Sequence, residues 1–170
     1  HAAYYGLGAY GVGLTLKYLV PNTPLALVIG TLVGGLAATL LGPTLMRRRG
    51  IYFAMITLAY GQLFYFIATN WTSVTGGEDG LTGFERQPLH FGHHVLALND
   101  VAFYYLVLLC FAIGAGIIGL LLRSPLGHTW VAIRENRRRA QFLGIPVERY
   151  IWASFAVSGF ITALAGGLNA

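Results

Sequence analysis

The sequence predicts an all-α fold: a polytopic transmembrane helix bundle of about five spans, with one short cytoplasmic helix between two of them. Three observations carry this. Hydrophobic residues make up 56% of the 170-residue chain and charged residues only 10%, against about 25% charged in soluble globular domains. Four apolar runs of 20 to 22 residues contain no Asp, Glu, Lys, Arg or His. The net charge of +5 is gathered into short clusters separated by long uncharged stretches. This excludes an ordinary soluble domain and a disordered chain. Cys110, the one cysteine, has no partner in the chain, which excludes a secreted disulfide scaffold.

The elements follow in chain order. Apolar stretches run from Ala2 to Val20, Leu25 to Met46, Ile51 to Asn70, Ala102 to Leu122 and Tyr150 to Ala170. About 20 helical residues cross a hydrocarbon core of roughly 30 Å. Lipid offers the backbone no hydrogen bonds, so such segments are helices or closed barrels. Barrel strands are about 10 residues long and alternate in polarity; these runs are continuous, so they are helices. The first stretch is the weakest, being glycine-rich and carrying Lys17. No basic n-region or cleavage site precedes it, so it is not read as a signal peptide. The chain starts at His1 rather than Met and stops at Ala170 with no polar tail, and is expected to be one transmembrane domain (residues 1–170) truncated at both ends.

Charge sets the orientation. Arg47, Arg48 and Arg49 occupy the turn between the second and third spans. One Arg at the bilayer centre costs about 2.5 to 3.5 kcal/mol, so three together mark an interface. The loop 123–149 holds six Arg against Glu135 and Glu148, a net of +4. The loop 71–101 holds Glu78, Asp79, Glu85 and Asp100 against Arg86, a net of −3. Two spans separate the basic clusters, so both fall on one side and the acidic loop on the other. The positive-inside rule makes residues 47–49 and 123–149 cytoplasmic and 71–101 external.

Small residues recur every four positions as Gly30, Gly34, Ala38 and Gly42, and again as Gly159, Ala163 and Gly167, the spacing that lets helices approach closely in lipid. Between Thr129 and Phe142 nothing breaks a helix, and Gly144 followed by Pro146 is a stop signal. A helix of about three turns is therefore expected on the cytoplasmic face. It either docks on a soluble partner or lies against anionic headgroups through its arginines.

Other motifs fail on context. Gly6-Leu-Gly-Ala-Tyr-Gly11 fits G-x-G-x-x-G, but no strand precedes it and no acidic residue occurs before Glu78, so the dinucleotide reading fails. His90, His93 and His94 lack a carboxylate or Cys at ligand spacing and read as a solvated loop, so no metal site is expected. Asn70-Trp-Thr72 is a glycosylation triplet of a kind common by chance. The basic run Arg137 to Arg139 is explained by a juxtamembrane position without nucleic acid. No nucleophile with base, carboxylate pair or phosphate loop stands out, so no catalytic residue is expected. Ion-coupled transporters place charge within their spans; the four best spans here have none, which fits a transporter driven from outside the membrane.

The run Ala132-Ile-Arg-Glu-Asn136, then Ala140, then Leu143-Gly-Ile145 closely resembles the coupling loop of branched-chain amino acid ABC transporter permeases, LivM-type subunit. Ala156-Val-Ser-Gly-Phe160 through Ala163-Leu-Ala-Gly-Gly167, Arg49-Gly-Ile-Tyr-Phe-Ala54 with Thr57-Leu-Ala59, and Gly76-Gly77 with Gly80-Leu81 are similar to other segments of that family. The three-arginine run at 137–139 departs from it, making the loop more basic.

The resemblance implies a permease subunit of an ATP-driven importer for branched-chain amino acids or related small polar solutes such as urea and amides. It implies a bacterial plasma (inner) membrane location, a second related permease, two cytoplasmic ATPase subunits that use ATP and Mg, and a periplasmic or extracellular substrate-binding protein. The chain itself would bind no cofactor and would be no enzyme. Arg134, Glu135, Asn136, Ala140 and Gly144 are the expected ATPase-coupling contact, with Gly144 setting the turn that aims the helix. Gly77, Glu78, Asp79 and Gly80 form an external turn expected to face the binding protein. The alternatives are an ion-coupled carrier or channel subunit without an ATPase, and a membrane scaffold with no transport role.

Overall fold

The computed structural model describes residues 1–19, 22–46, 50–77, 80–81, 89–91, 94–96 and 100–170, with backbone alone for 89–91, 94–96 and 100. Arg47, Arg48, Arg49, Glu78, Asp79 and His93 lie outside the described residues.

The chain forms α1 (Ala2–Tyr18), α2 (Thr23–Met46), α3 (Ile51–Asn70) and the one-turn α4 (Thr72–Thr75). Two three-residue strands follow, β1 (Leu89–Phe91) and β2 (His94–Leu96), paired antiparallel with Phe91 opposite His94. Then come α5 (Asp100–Arg123), α6 (Pro125–Glu135), α7 (Arg137–Phe142) and α8 (Val147–Asn169). Among the described residues four helices, α2, α3, α5 and α8, are long and apolar enough to cross a membrane. The all-α polytopic fold is thus present, with the small hairpin as the one departure among the described residues.

The first stretch makes a 17-residue helix, about 26 Å long at 1.5 Å per residue. Lys17 falls in its last turn, where a cation faces the negative end of the helix dipole. Thr15, buried on α1, is satisfied by donating to the Gly11 carbonyl at 2.7 Å. Threonines in the other spans do likewise: Thr31 to Leu27, Thr57 to Ala54 and Thr162 to Ser158, at 2.6 to 2.8 Å. This back-bonding lets a hydroxyl sit in a membrane helix without an outside partner.

Helices α1, α2 and α8 form the packed centre, and the small-residue rows are its seams. A Cβ placed on Gly30 would lie 2.7 Å from the Gly8 carbonyl oxygen, and one on Gly34 would lie 2.5 Å from the Ala163 Cβ. Gly159 meets Ala38, Gly8 meets the Ala163 backbone, and Gly42 meets Trp152. These pairs make α2 antiparallel to both α1 and α8, with α1 and α8 parallel. Without a hydrophobic force between helices in lipid, such backbone approach supplies the packing contacts. The end of α2 thereby stands beside the start of α8. In the sequence, one basic segment follows α2 and the other precedes α8.

Helices α3 and α5 lie at the edge, and among the described residues neither has a buried side chain. Leu106 of α5 packs on the cluster of Val12, Ala26 and Leu27, and the Tyr60 hydroxyl of α3 lies 3.4 Å from Thr44 Oγ1 on α2. Their Met55, Leu58, Phe66, Leu109 and Phe111 are exposed apolar side chains.

Candidate functional site: the loop between α5 and α8

The expected single helix from Thr129 to Phe142 is two helices, and this corrects the sequence reading. Helix α6 starts at Ser124, whose side chain accepts the Gly127 amide at 3.4 Å, with Pro125 in the first turn. Proline suits that position because its missing N–H has no helical partner there. Helix α6 ends at Asn136, which is extended at φ −151° and ψ 94°. The Asn136 side chain accepts the Arg139 amide at 2.9 Å and so begins α7. Asparagine competes well for such a cap, so a residue compatible with a continuous helix divides it instead.

Gly144 ends α7 as expected. Its φ is +79°, the left-handed region where a Cβ costs about 1–2 kcal/mol. The Gly144 amide donates to Gln141 O at 3.0 Å and the Ile145 amide to Ala140 O at 3.1 Å. This crossed pair is a Schellman stop, completed by apolar contact across the turn. Ile133, Ala140 and Val147 are buried together, with Ile145, Tyr150 and Ile151 packed against them. The loop thus carries its own small core.

Two further contacts fix it to α8. Trp130 donates its indole N–H to the Tyr150 carbonyl at 2.8 Å. Arg137 pairs with Glu148 at 2.5 Å, so one of the three arginines is turned back onto the loop.

The expected contact residues separate accordingly. Arg134, Glu135, Asn136 and Gly144 are exposed. Ala140 is 3% exposed and presents no surface; it is buried in one cluster with Ile133 and Val147. Sequence reasoning overlooked Phe142 and Leu143, which are 90% and 74% exposed at the tip. The available signal was an apolar pair wedged between an arginine run and a glycine stop. Large apolar groups held out among charges are typical anchors of protein interfaces.

The one-turn α4 follows the C-terminal end of α3. Thr75 is buried and donates to Ala68 O at 2.6 Å and Trp71 O at 2.8 Å. Gly76, Gly77 and Gly80 all have positive φ, and the Gly80 amide donates to Gly77 O at 3.3 Å. Left-handed φ of this kind is what glycine adopts without steric cost.

Residues 1–170 match the family described as "Branched-chain amino acid transport system / permease component". The chain is 30% identical over 190 residues to the high-affinity branched-chain amino acid transport system permease protein LivM of Escherichia coli (strain K12). That match takes in 100% of the chain and 45% of the relative. It is 28% identical over 167 residues to the autoinducer 2 import system permease protein LsrD of Salmonella paratyphi B, covering 96% of the chain and 48% of the relative. The chain thus spans about half the length of the curated relatives it matches. No solved structure matches it. A whole-chain family match, apolar helices able to cross a membrane and the capped loop agree: the chain belongs to the branched-chain amino acid transport permease family of ABC transporters.

Proposed function

We propose that this chain is the membrane-spanning part of an importer for branched-chain amino acids or related small polar solutes, driven by cytoplasmic ATPase subunits. It works beside a second related permease in a bacterial plasma (inner) membrane. ATP and Mg belong to the ATPases, and this chain binds no cofactor. The observation that carries the reading is the loop of α6 and α7. It has its own core, is hydrogen-bonded to α8, and displays Arg134, Glu135, Phe142 and Leu143 outward. A loop built only for headgroup anchoring needs no core and gains nothing from an exposed Glu135.

Glu135→Lys in the full-length subunit separates the two uses. A soluble partner reads that charge, and like-charge juxtaposition at an interface costs several kcal/mol. Headgroup anchoring is instead improved by about 1 kcal/mol per added Lys. The expected result is normal membrane insertion with loss of ATPase co-purification and of ATP-driven leucine uptake. A variant that inserts, keeps its ATPase and transports normally removes Glu135 from the contact. Uptake that follows an ion gradient with no ATPase present makes the chain an ion-coupled carrier instead.

In the external loop, the charges of Glu78 and Asp79 in the sequence serve docking of a substrate-binding protein in this reading. Reversing both charges weakens its docking, seen as reduced uptake at limiting binding protein; unchanged uptake leaves the turn without that role.

A further inference from the structure

Helix α2 runs from Thr23 to Met46 with Pro43 inside it. Proline has no N–H, so the Thr39 carbonyl, four residues back, receives no donor from its own helical ladder. In a membrane such a gap must be answered by a neighbouring group. Trp152, in the second turn of α8, answers it: its indole Nε1 donates to Thr39 O at 2.9 Å. Gly42 leaves the room, since a Cβ there would stand 2.7 Å from Trp152 Cδ1 and 3.1 Å from Nε1. Two residues before Trp152, the Tyr150 carbonyl accepts the indole N–H of Trp130 from α6. The cytoplasmic loop is therefore bonded to α8, and α8 is bonded to α2 at the point where α2 is broken.

We propose that Trp152 is a positioning residue that closes the gap Pro43 opens in α2 and makes the cytoplasmic end of α2 move with α8 and the loop. Motion of α6 and α7 then reaches two helices of the packed centre. A proline-weakened helix end bends more readily than an intact one, and the indole decides what it follows. This role in transmission rests on the loop reading given above, whereas the bond itself does not.

The test uses the full-length subunit in its complete transporter, with Trp152→Phe, Pro43→Ala and the double variant. Phenylalanine keeps a ring and loses the N–H; alanine in place of Pro43 supplies Thr39 with a helical donor. Thermal unfolding of the purified complex, which needs no solute, reads the bond. Trp152→Phe should lower the midpoint while Pro43 is present and leave it unchanged when combined with Pro43→Ala. Equal losses in both backgrounds overturn the lock.

In proteoliposomes with binding protein, leucine taken up per ATP hydrolysed reads the transmission. Trp152→Phe should lower this ratio about three- to tenfold, the range of one lost hydrogen bond, with ATP hydrolysis retained. Pro43→Ala alone should keep the ratio, because a carbonyl accepts two donors. The double variant should regain its midpoint and still show the low ratio, because the restored backbone N–H satisfies Thr39 without tying α2 to α8. Recovery of the ratio, or parallel loss of uptake and hydrolysis, reduces Trp152 to a filler and overturns the positioning role. Should Trp152→Phe alone fail to assemble, the comparison is made wholly in the Pro43→Ala background. A wild-type complex that takes up no leucine contradicts the solute assignment, and the thermal cycle still judges the lock.

Discussion

The side-chain oxygen of Asn136 accepts the backbone amide of Arg139 at 2.9 Å, and through this bond one residue closes α6 and opens α7. The bend places the exposed Glu135 at the end of one helix and the Phe142–Leu143 tip at the end of the next, over a shared core of Ile133, Ala140 and Val147. The loop is therefore a bent, packed unit rather than a single rod.

Removing that cap gives the first prediction. Asn136→Ala should destabilise the loop by about 1 kcal/mol, and Asn136→Ser should not. Amide hydrogen exchange at Arg138 and Arg139 in the full-length subunit measures it. Faster exchange in both variants, or in neither, contradicts the capping role.

The left-handed turn gives a second. Gly144→Ala should cost about 1–2 kcal/mol and loosen the register of α7 against α8. Reduced ATPase co-purification with normal insertion is the expected signature. Full stability would mean that the chain reaches α8 by another route.

Close packing gives a third, as a matched pair. Gly159 faces Ala38 with no room for a Cβ, whereas a Cβ on Gly116 of α5 meets nothing within 4 Å. Gly159→Val should cost about 1–3 kcal/mol by overpacking, and Gly116→Val should stay within about 0.5 kcal/mol. Unfolding of the detergent-solubilised subunit compares them. Equal losses would show that another helix covers that face of α5.

Topology gives a fourth. With Cys110 replaced by Ala, cysteines introduced at Ser73 and Arg138, both exposed, should react with impermeant maleimide from opposite sides of the membrane. Labelling from one side would undo the orientation argued from the arginines.

The spans are legible because each is fixed by local composition: twenty apolar residues in a row leave the backbone one way to satisfy itself in lipid. The spacing of Gly30, Gly34, Ala38 and Gly42 shows which face of α2 packs, and Gly144 with Pro146 shows where the loop helix stops. The break at Asn136 is not legible, since asparagine is tolerated inside helices and only the competing cap to Arg139 tips the balance. Ala140 reads as surface in a continuous helix because its helical phase depends on that break.

By itself, then, the sequence determined the all-α class, four of the apolar spans and the family motifs of the loop. These follow from residue chemistry within a few turns of chain. The tertiary structure alone decided that the row on α2 meets Ala163 and Gly159 of α8, that Phe142 is cast outward, and that Trp152 reaches Thr39 across 113 positions. Pro43 announces a missing hydrogen bond to any reader of the sequence. Which distant N–H replaces it depends on how helices far apart in the chain come to lie side by side.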